Sequence, residues 1–222
     1  MKFDPLKNDY SRKQPIYAKN GMVATSQPLA ANAGLEVLKI GGNAVDAAVA
    51  TAAALTVVEP TSNGIGGDAF AIVWMNKKMY GLNASGPSPE GLTIEAVKQD
   101  GYDKIPQFGW TPVTVPGAPS AWASLVERFG NLTLEEVLAP AIRYASEGFP
   151  VSSTVAHYWR KAFDSFEKEG KNPVFNEWFN TFAPCGHVPT SGDLFFLPHH
   201  ANTLRKIAQT QAESFYRAAR RS

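Results

Sequence analysis

The stretch from Gly41 to Gly67 constrains the fold most strongly, because it holds an alanine-rich run between two groups of glycines. Asn43 is a favourable N-cap, and Asp46 falls in the first turn, where a carboxylate complements the helix dipole. Apolar residues cover most of the circumference of this predicted helix, which is typical of a helix buried in a larger fold. Pro60 is expected to end the helix, and a glycine-rich loop follows it.

The apolar run Ala69–Met75 after this loop predicts a buried strand. Together with Met79–Ala84 it predicts a hairpin, and Gly21–Ser26 is a further candidate strand. Caps and periodicity predict several more helices, whereas the aromatic stretch Asn172–Pro189 is expected to be irregular. This order of elements indicates mixed α/β layering. The other predicted helices start at Pro28 and lie over Thr93–Asp100, Ala121–Phe129, Thr133–Gly148, Val151–Gly170 and Ala201–Ala212.

The composition excludes several classes of function. The net charge is +1, so there is no electrostatic case for a partner that is nucleic acid or membrane. Cys185 is the only cysteine, which rules out an intramolecular disulfide and a cysteine metal cluster. The first residues are polar, and no apolar run is long enough to span a membrane. The sequence therefore predicts a soluble, cytoplasmic protein.

Three local features have a functional and a structural interpretation. The loop Gly64–Gly67 could cradle a phosphate, but it lacks a following Lys-Ser/Thr and runs from helix to strand, so a tight backbone crossing is favoured. The four histidines are too irregularly spaced for a metal site, and the sequence predicts no metal ligands. His199 and His200 are expected to be exposed, and Cys185 is expected to be a lone buried or loop cysteine rather than a nucleophile.

Four segments resemble the gamma-glutamyltransferase (gamma-glutamyltranspeptidase) family of N-terminal nucleophile hydrolases, at the start of the large-chain half of the precursor. The first segment is long and specific, and the resemblance covers nearly all of the chain after residue 20. The matching segments are GMVATSQPLAANAGLEVLKIGGNAVDAAVATAAALTVVEPTSNGIGGDAF at Gly21–Phe70, VTVPGAPSAW at Val113–Trp122, LTLEEVLAPAIRYASEGFPVS at Leu132–Ser152, and Ser191–Tyr216, which contains SGDLFFLPHHANTLRKIAQ and ESFY.

The resemblance implies an α/β (α+β) fold that is an incomplete part of an αββα sandwich. It also implies a precursor that cuts itself before a threonine, whose free amine then activates it as the N-terminal nucleophile of a small chain. An acyl-enzyme forms and is released by water or an amine, without metal or cofactor. Residues 1–20 would be a polar N-terminal segment, and residues 21–222 a partial large-chain domain.

Two departures from the family pattern change the expected function. Family precursors are more than twice as long as this chain, and the threonine-led segment has no counterpart in its 222 residues. No residue of this chain is therefore assigned as catalytic, and the chain alone is expected to be inactive. The match ends at Tyr216, from which a truncated or frame-shifted product, or a gene fragment, is inferred.

The second departure concerns the substrate. Typical large chains carry an arginine that binds the α-carboxylate of the glutamyl group, in a segment resembling N-A-R-E-x-A-P. Here that segment begins Asn83-Ala84-Ser85-Gly86, so Ser85 stands where the arginine is expected. A serine cannot form the bidentate clamp of a guanidinium. The NASG form resembles the oxamate amidohydrolases and related acylases.

Asn83 and Ser85 are thus the predicted substrate-binding residues. Asn83 could bind a substrate carbonyl or only cap the turn, and Ser85 could line the pocket or only pack at the strand exit. The predicted partners are a small-molecule amide and the small chain that carries the threonine. The alternative functions are a homologue that binds small acyl amides without turnover, and a remnant that exposes a sheet surface.

Overall fold

The computed structural model describes residues 16–168 and 173–217. A layer of helices packs on one face of a β-hairpin, and a smaller helical region follows. The architecture is thus mixed α/β, as predicted. In chain order, the elements are α1 (Pro28–Lys39), α2 (Ala44–Val58), β1 (Ala69–Met75), β2 (Lys78–Ala84), α3 (Ile94–Gln99), α4 (Ala118–Phe129), α5 (Leu134–Glu147), β3 (Phe149–Pro150), α6 (Ser153–Lys168), a 3-10 turn (Pro173–Phe175), α7 (Asn176–Phe182), β4 (Leu194–Phe195), α8 (Pro198–Gln209) and α9 (Glu213–Arg217).

Helix α2 is the centre of the core. Its predicted cap is confirmed: Asn43 Oδ1 accepts from the N–H groups of Val45 and Asp46, and the Asp46 carboxylate accepts from the N–H of Asn43. The helix packs against α1, α4 and α5, so its buried residues include polar as well as apolar side chains. Small alanines allow these helices to approach closely, and this close packing fixes the layer on which the hairpin lies.

The predicted hairpin is present, but its second strand begins one residue earlier than predicted, at Lys78. Strands β1 and β2 pair antiparallel from Ala69–Ala84 to Met75–Lys78, which leaves Asn76 and Lys77 as a two-residue turn. Both turn residues have positive φ, 51° and 61°, a geometry that suits the right-handed twist of a hairpin. The second paired region is short, with Phe149 opposite Phe195.

The prediction that Ala69–Met75 is a buried strand is corrected: it is a strand, but only one of its faces is covered. Alternate residues of β1 pack on the helices, while the other face is open in the part of the chain that the structure describes. A continuous apolar run does not by itself distinguish a strand covered on both sides from one covered on one side. The large side chains on this open face are Phe70, Ile72, Trp74 and Met79, which are 68%, 80%, 71% and 70% exposed.

Three other local predictions are corrected. Residues 21–26 form no strand, although residues 21–24 line a cavity together with α2. The stretch expected to be irregular contains the short helix α7, whose aromatic side chains pack on α6 through contacts such as Phe163 with Phe179. The last long helix begins at Pro198, because proline suits the first turn of a helix. None of the described helices is long and apolar enough to cross a membrane.

Candidate substrate-binding site

The chain turns sharply at the end of β2. The N–H of Ser85 donates to Asn83 Oδ1 at 2.9 Å, so the Asn83 side chain caps this turn. Gly86 then has a φ of +72°, which favours glycine. Of the two roles considered for Asn83, the structure contains the capping one. A contact of Asn83 with substrate stays a prediction.

A second segment runs beside this turn and is bonded to it. Thr114 Oγ1 donates to the carbonyl oxygen of Ser85 at 3.3 Å, and the N–H of Val115 donates to the carbonyl oxygen of Pro87 at 3.0 Å. The backbones approach so closely that a Cβ on Gly86 would overlap the carbonyl oxygen of Val115. A Cβ on Gly117 would likewise overlap the carbonyl oxygen of Ala84. Both positions therefore require glycine.

The glycine-rich loop before β1 acts as a backbone acceptor. The carbonyl oxygen of Gly67 accepts from the N–H groups of Gly117 at 3.0 Å and Ala118 at 3.1 Å, at the start of α4. The loop itself closes through the N–H of Gly67 and the carbonyl oxygen of Gly64 at 3.2 Å. This arrangement is the backbone crossing favoured from the sequence, and it holds the first turn of α4 beside the Ser85 turn.

Tyr216 reaches this same place from the far end of the described chain. Its hydroxyl donates to the carbonyl oxygen of Pro116 at 2.7 Å and accepts from the N–H of Ser120 at 3.2 Å. The side chain of Ser120 in turn donates to the carbonyl oxygen of Gly117 at 2.8 Å. Four separate parts of the sequence thus meet around one turn.

These segments enclose an open cleft of about 700 Å³. Asn83 and Ser85, the two predicted site residues, both line it. None of the described residues that line the cleft carries a charge, and Ser85 Oγ makes no hydrogen bond to another described residue. The cleft can therefore offer neutral hydrogen-bond donors and acceptors to a small polar ligand. Its lining is Leu82, Asn83, Ala84, Ser85, Gly86, Pro87, Val115, Pro116, Gly117, Ser120, Ala121, Ser124 and Tyr216.

Sequence reasoning missed Thr114, Ser120 and Tyr216 as parts of this site. Thr114 and Ser120 belong to the segment VTVPGAPSAW, and its Pro-Gly-Ala-Pro run marks a tight approach to a helix start. Tyr216 gave no such local signal, because its partners are 96 and 100 residues earlier in the chain.

The prediction that His200 is exposed is wrong. His200 is half-buried, and its Nε2 lies 3.1 Å from Thr56 Oγ1, whose hydroxyl donates to the carbonyl oxygen of Ala53. Burial lowers the pKa of His200 to about 4, so the ring is neutral at pH 7. Cys185 is exposed. Within residues 16–168 and 173–217, no group of three or more His, Cys, Asp or Glu side chains could hold a metal ion.

Comparison with known proteins gives matches along almost the whole chain. The family model described as gamma-glutamyltranspeptidase matches residues 30–219. A glutathione hydrolase proenzyme of Bacillus subtilis is 31% identical over 96% of this chain and 36% of its own length. An oxamate amidohydrolase proenzyme of Klebsiella pneumoniae is 35% identical over 89% of this chain and 37% of its own length.

A solved structure is more similar still. The crystal structure of cephalosporin acylase from Bacillus halodurans superposes with a TM-score of 0.93 at 58% identity, over 99% of this chain and 41% of that one. The fold is therefore shared, and the predicted incomplete αββα sandwich is confirmed. The chain spans about a third of the length of the curated relatives reported above.

Proposed function

Because this chain belongs to the gamma-glutamyltranspeptidase family, we propose that it is the large-chain part of an amide hydrolase or acyltransferase that works through a threonine acyl-enzyme. The threonine nucleophile is supplied by a second, small-chain segment, and the 222-residue chain alone does not turn over amides. The relatives' names, glutathione hydrolase, oxamate amidohydrolase and cephalosporin acylase, support amide chemistry.

The open face of the hairpin is the observation that carries this proposal. Phe70, Ile72 and Trp74 are each more than two-thirds exposed, and they form one apolar surface with Met79. A contiguous apolar surface of this kind marks an interaction site. Asn83 is paired with Phe70 across the hairpin, so this face leads directly to the substrate cleft. A small chain that covers the face would bring its nucleophile beside Ser85.

A groove next to β1 supports the same partner. Ala44, Ala48 and Ala52 of α2 form its floor, with β1 on one side and residues 20–24 on the other. Of the two long edges of β1, only the one bonded to β2 is paired within the described chain. An extended segment that enters this groove could pair with β1 through its backbone. We propose that strands of the small chain occupy it.

The neutral cleft supports a substrate other than a gamma-glutamyl amide. An α-carboxylate is bound most strongly by a bidentate arginine, and Ser85 occupies that place in the family segment. Loss of such a charge-assisted pair would cost roughly 2 kcal/mol of binding. The proposed substrates are therefore small acyl amides that lack a glutamyl α-carboxylate, of the kinds that the oxamate amidohydrolase and acylase relatives are named for.

One observation favours a second candidate function. The cleft of about 700 Å³ is formed entirely by residues of this chain, so it exists without any partner. The chain could therefore bind a small acyl amide without turnover. This candidate predicts saturable binding by the isolated protein that is unchanged when a small chain is added.

Reconstitution tests the proposed function. The chain is co-expressed with the threonine-led part of the Bacillus halodurans acylase, and hydrolysis of a cephalosporin, glutathione and oxamate is measured. We expect a complex and amide hydrolysis, with neither activity nor self-cleavage from the chain alone.

Trp74→Lys should prevent assembly at an unchanged unfolding midpoint, whereas Trp110→Lys, which alters an exposed tryptophan outside the hairpin, should not. The proposal would be refuted if the chain alone turned over an amide, or if Trp74→Lys left assembly unchanged.

A further inference from the structure

The N–H groups at the start of α4 can be accounted for one by one. A helix leaves its first N–H groups without partners inside the helix, and these groups need acceptors elsewhere. Gly117 and Ala118 donate to the carbonyl oxygen of Gly67, and Pro119 has no N–H. The next N–H, that of Ser120, donates to the hydroxyl of Tyr216 at 3.2 Å.

The N-cap of α4 cannot supply this acceptor itself. Helices usually use a Ser, Thr, Asp or Asn at the N-cap for the purpose. Gly117 occupies the N-cap here, and any Cβ at this position would overlap the carbonyl oxygen of Ala84. The close approach of the Ser85 turn thus excludes a capping side chain. Tyr216 supplies the missing oxygen from 96 residues away.

The second hydrogen bond of Tyr216 extends its effect to the cleft. The hydroxyl donates to Pro116, which lies between Val115 and the N-cap. Val115 donates to the carbonyl oxygen of Pro87, and the neighbouring Thr114 donates to that of Ser85. The phenol is therefore connected, through one short segment, to both ends of the Ser85–Pro87 turn.

The tyrosine is itself held in place by its helix. The N–H of Ser214 donates to Thr210 Oγ1 at 3.1 Å, which joins the start of α9 to the end of α8. Ala212 is buried, and Phe215 packs against the core. The position of the hydroxyl therefore follows from the docking of α8 and α9 and is independent of any ligand.

We propose that Tyr216 is a positioning residue for the Ser85 cleft: its hydroxyl, shared between Pro116 and Ser120, fixes the cleft wall that faces Ser85. It also lines the cleft, so it orders the wall and forms part of it. The cleft's role as a substrate site rests on the proposed function, whereas the positioning itself is a property of this chain alone.

Amide hydrogen exchange in the 222-residue protein tests the positioning. The variant Tyr216→Phe removes the hydroxyl and keeps the ring. Losing a hydrogen bond of ordinary strength should speed exchange at Ser120 by about fivefold. If Tyr216 orders the wall, exchange at Val115 should also rise by at least about threefold. Tyr216→Leu, which removes the ring as well, should reproduce both increases.

Tyr144→Phe is the matched control. Tyr144 also donates its hydroxyl to a backbone carbonyl, that of Leu29, at 3.2 Å, and neither residue lines the cleft. This variant should leave exchange at Ser120 and Val115 unchanged. An increase at Ser120 alone, with Val115 unaffected, would show that Tyr216 only caps α4 and would overturn the proposal.

Ligand titration separates this inference from the proposed function. Amide shifts are followed while glutathione, oxamate or a cephalosporin is added to the wild type and to Tyr216→Phe. Binding that weakens about fivefold in Tyr216→Phe and is unchanged in Tyr144→Phe, which also loses a hydroxyl hydrogen bond, is the result that positioning predicts and that simple stabilisation does not. If no probe binds the wild type, the cleft's substrate role fails, while the exchange at Val115 still decides whether Tyr216 positions the wall.

Discussion

The carboxylate of Asp46, on α2, accepts a hydrogen bond of 2.8 Å from the backbone N–H of Asn131, in the loop between α4 and α5. The same oxygen accepts from the N–H of Asn43 at 2.9 Å, and the Asp46 side chain is fully buried. Asn43 Nδ2 donates to the carbonyl oxygen of Phe129. One capping box therefore joins the start of α2 to the end of α4, through Phe129, and to the loop before α5, through Asn131.

This arrangement makes Asp46 a sensitive position for stability. Asp46→Ala leaves two N–H groups without their acceptor, which should lower the free energy of unfolding by about 3 kcal/mol. Chemical denaturation measures the change. Asp164→Ala, which removes an exposed carboxylate on α6, should change it by less than about 0.5 kcal/mol. Equal effects of the two substitutions would contradict the role given to Asp46.

A pair of glycines tests the close approach at the cleft. Gly117→Ala places a methyl group on the carbonyl oxygen of Ala84 and should destabilise the protein by about 2 kcal/mol or more. Gly81→Ala, in β2, meets no atom within 4 Å and should be neutral or slightly stabilising. Thermal unfolding of both variants distinguishes steric overlap from a general cost of replacing glycine.

The buried histidine predicts a specific dependence of stability on pH. The pKa of His200 falls from 6.5 in the unfolded chain to about 4 in the fold, so the unfolded state binds more protons between these values. The contribution of His200 to the free energy of unfolding has its full value above pH 6.5. It falls by up to about 3 kcal/mol as the pH drops towards 4. His200→Gln should flatten the unfolding free energy over this window, whereas His199→Gln, at an exposed site, should not.

Ser85 provides a gain-of-function test of substrate choice. Ser85→Arg places a guanidinium at the turn and should strengthen binding of glutathione, which carries an α-carboxylate on its glutamyl group, by about tenfold. Calorimetry measures the affinity. Ser85→Lys should gain less, because an ammonium lacks the bidentate fork. If Ser88→Arg, at a nearby exposed position, gives the same gain, the effect is only nonspecific attraction.

The local chemistry of the chain predicted much of the fold. The N-cap at Asn43, the capping box of Thr133 with Glu136 and the hairpin around Asn76 all depend on residues within a few positions of one another. These features can be read from sequence because the interacting groups are neighbours. Asn83 and Ser85 were found through resemblance, and the structure places both in one cleft.

What sequence reasoning missed depends on contacts between distant residues. The burial of His200 depends on Thr56, which is 144 positions earlier. The exposure of Trp74 could not be predicted, because an apolar strand looks the same whether or not a second layer covers it. Tyr216 bonds to a carbonyl and an N–H of the backbone. Because every residue but proline carries both groups, no particular residue type in the sequence points to these partners.

The distance in sequence between Tyr216 and Ser120 has a consequence for biosynthesis. The first turn of α4 has its full set of hydrogen bonds only after residue 216 has left the ribosome, some 96 residues after Ser120. Contacts this far apart close late in folding, because a long loop must first be ordered. During translation, the cleft wall should therefore stay open until residue 216 has emerged. The cleft should then take shape well after the α1–α2 pair, which needs only residues 28–58.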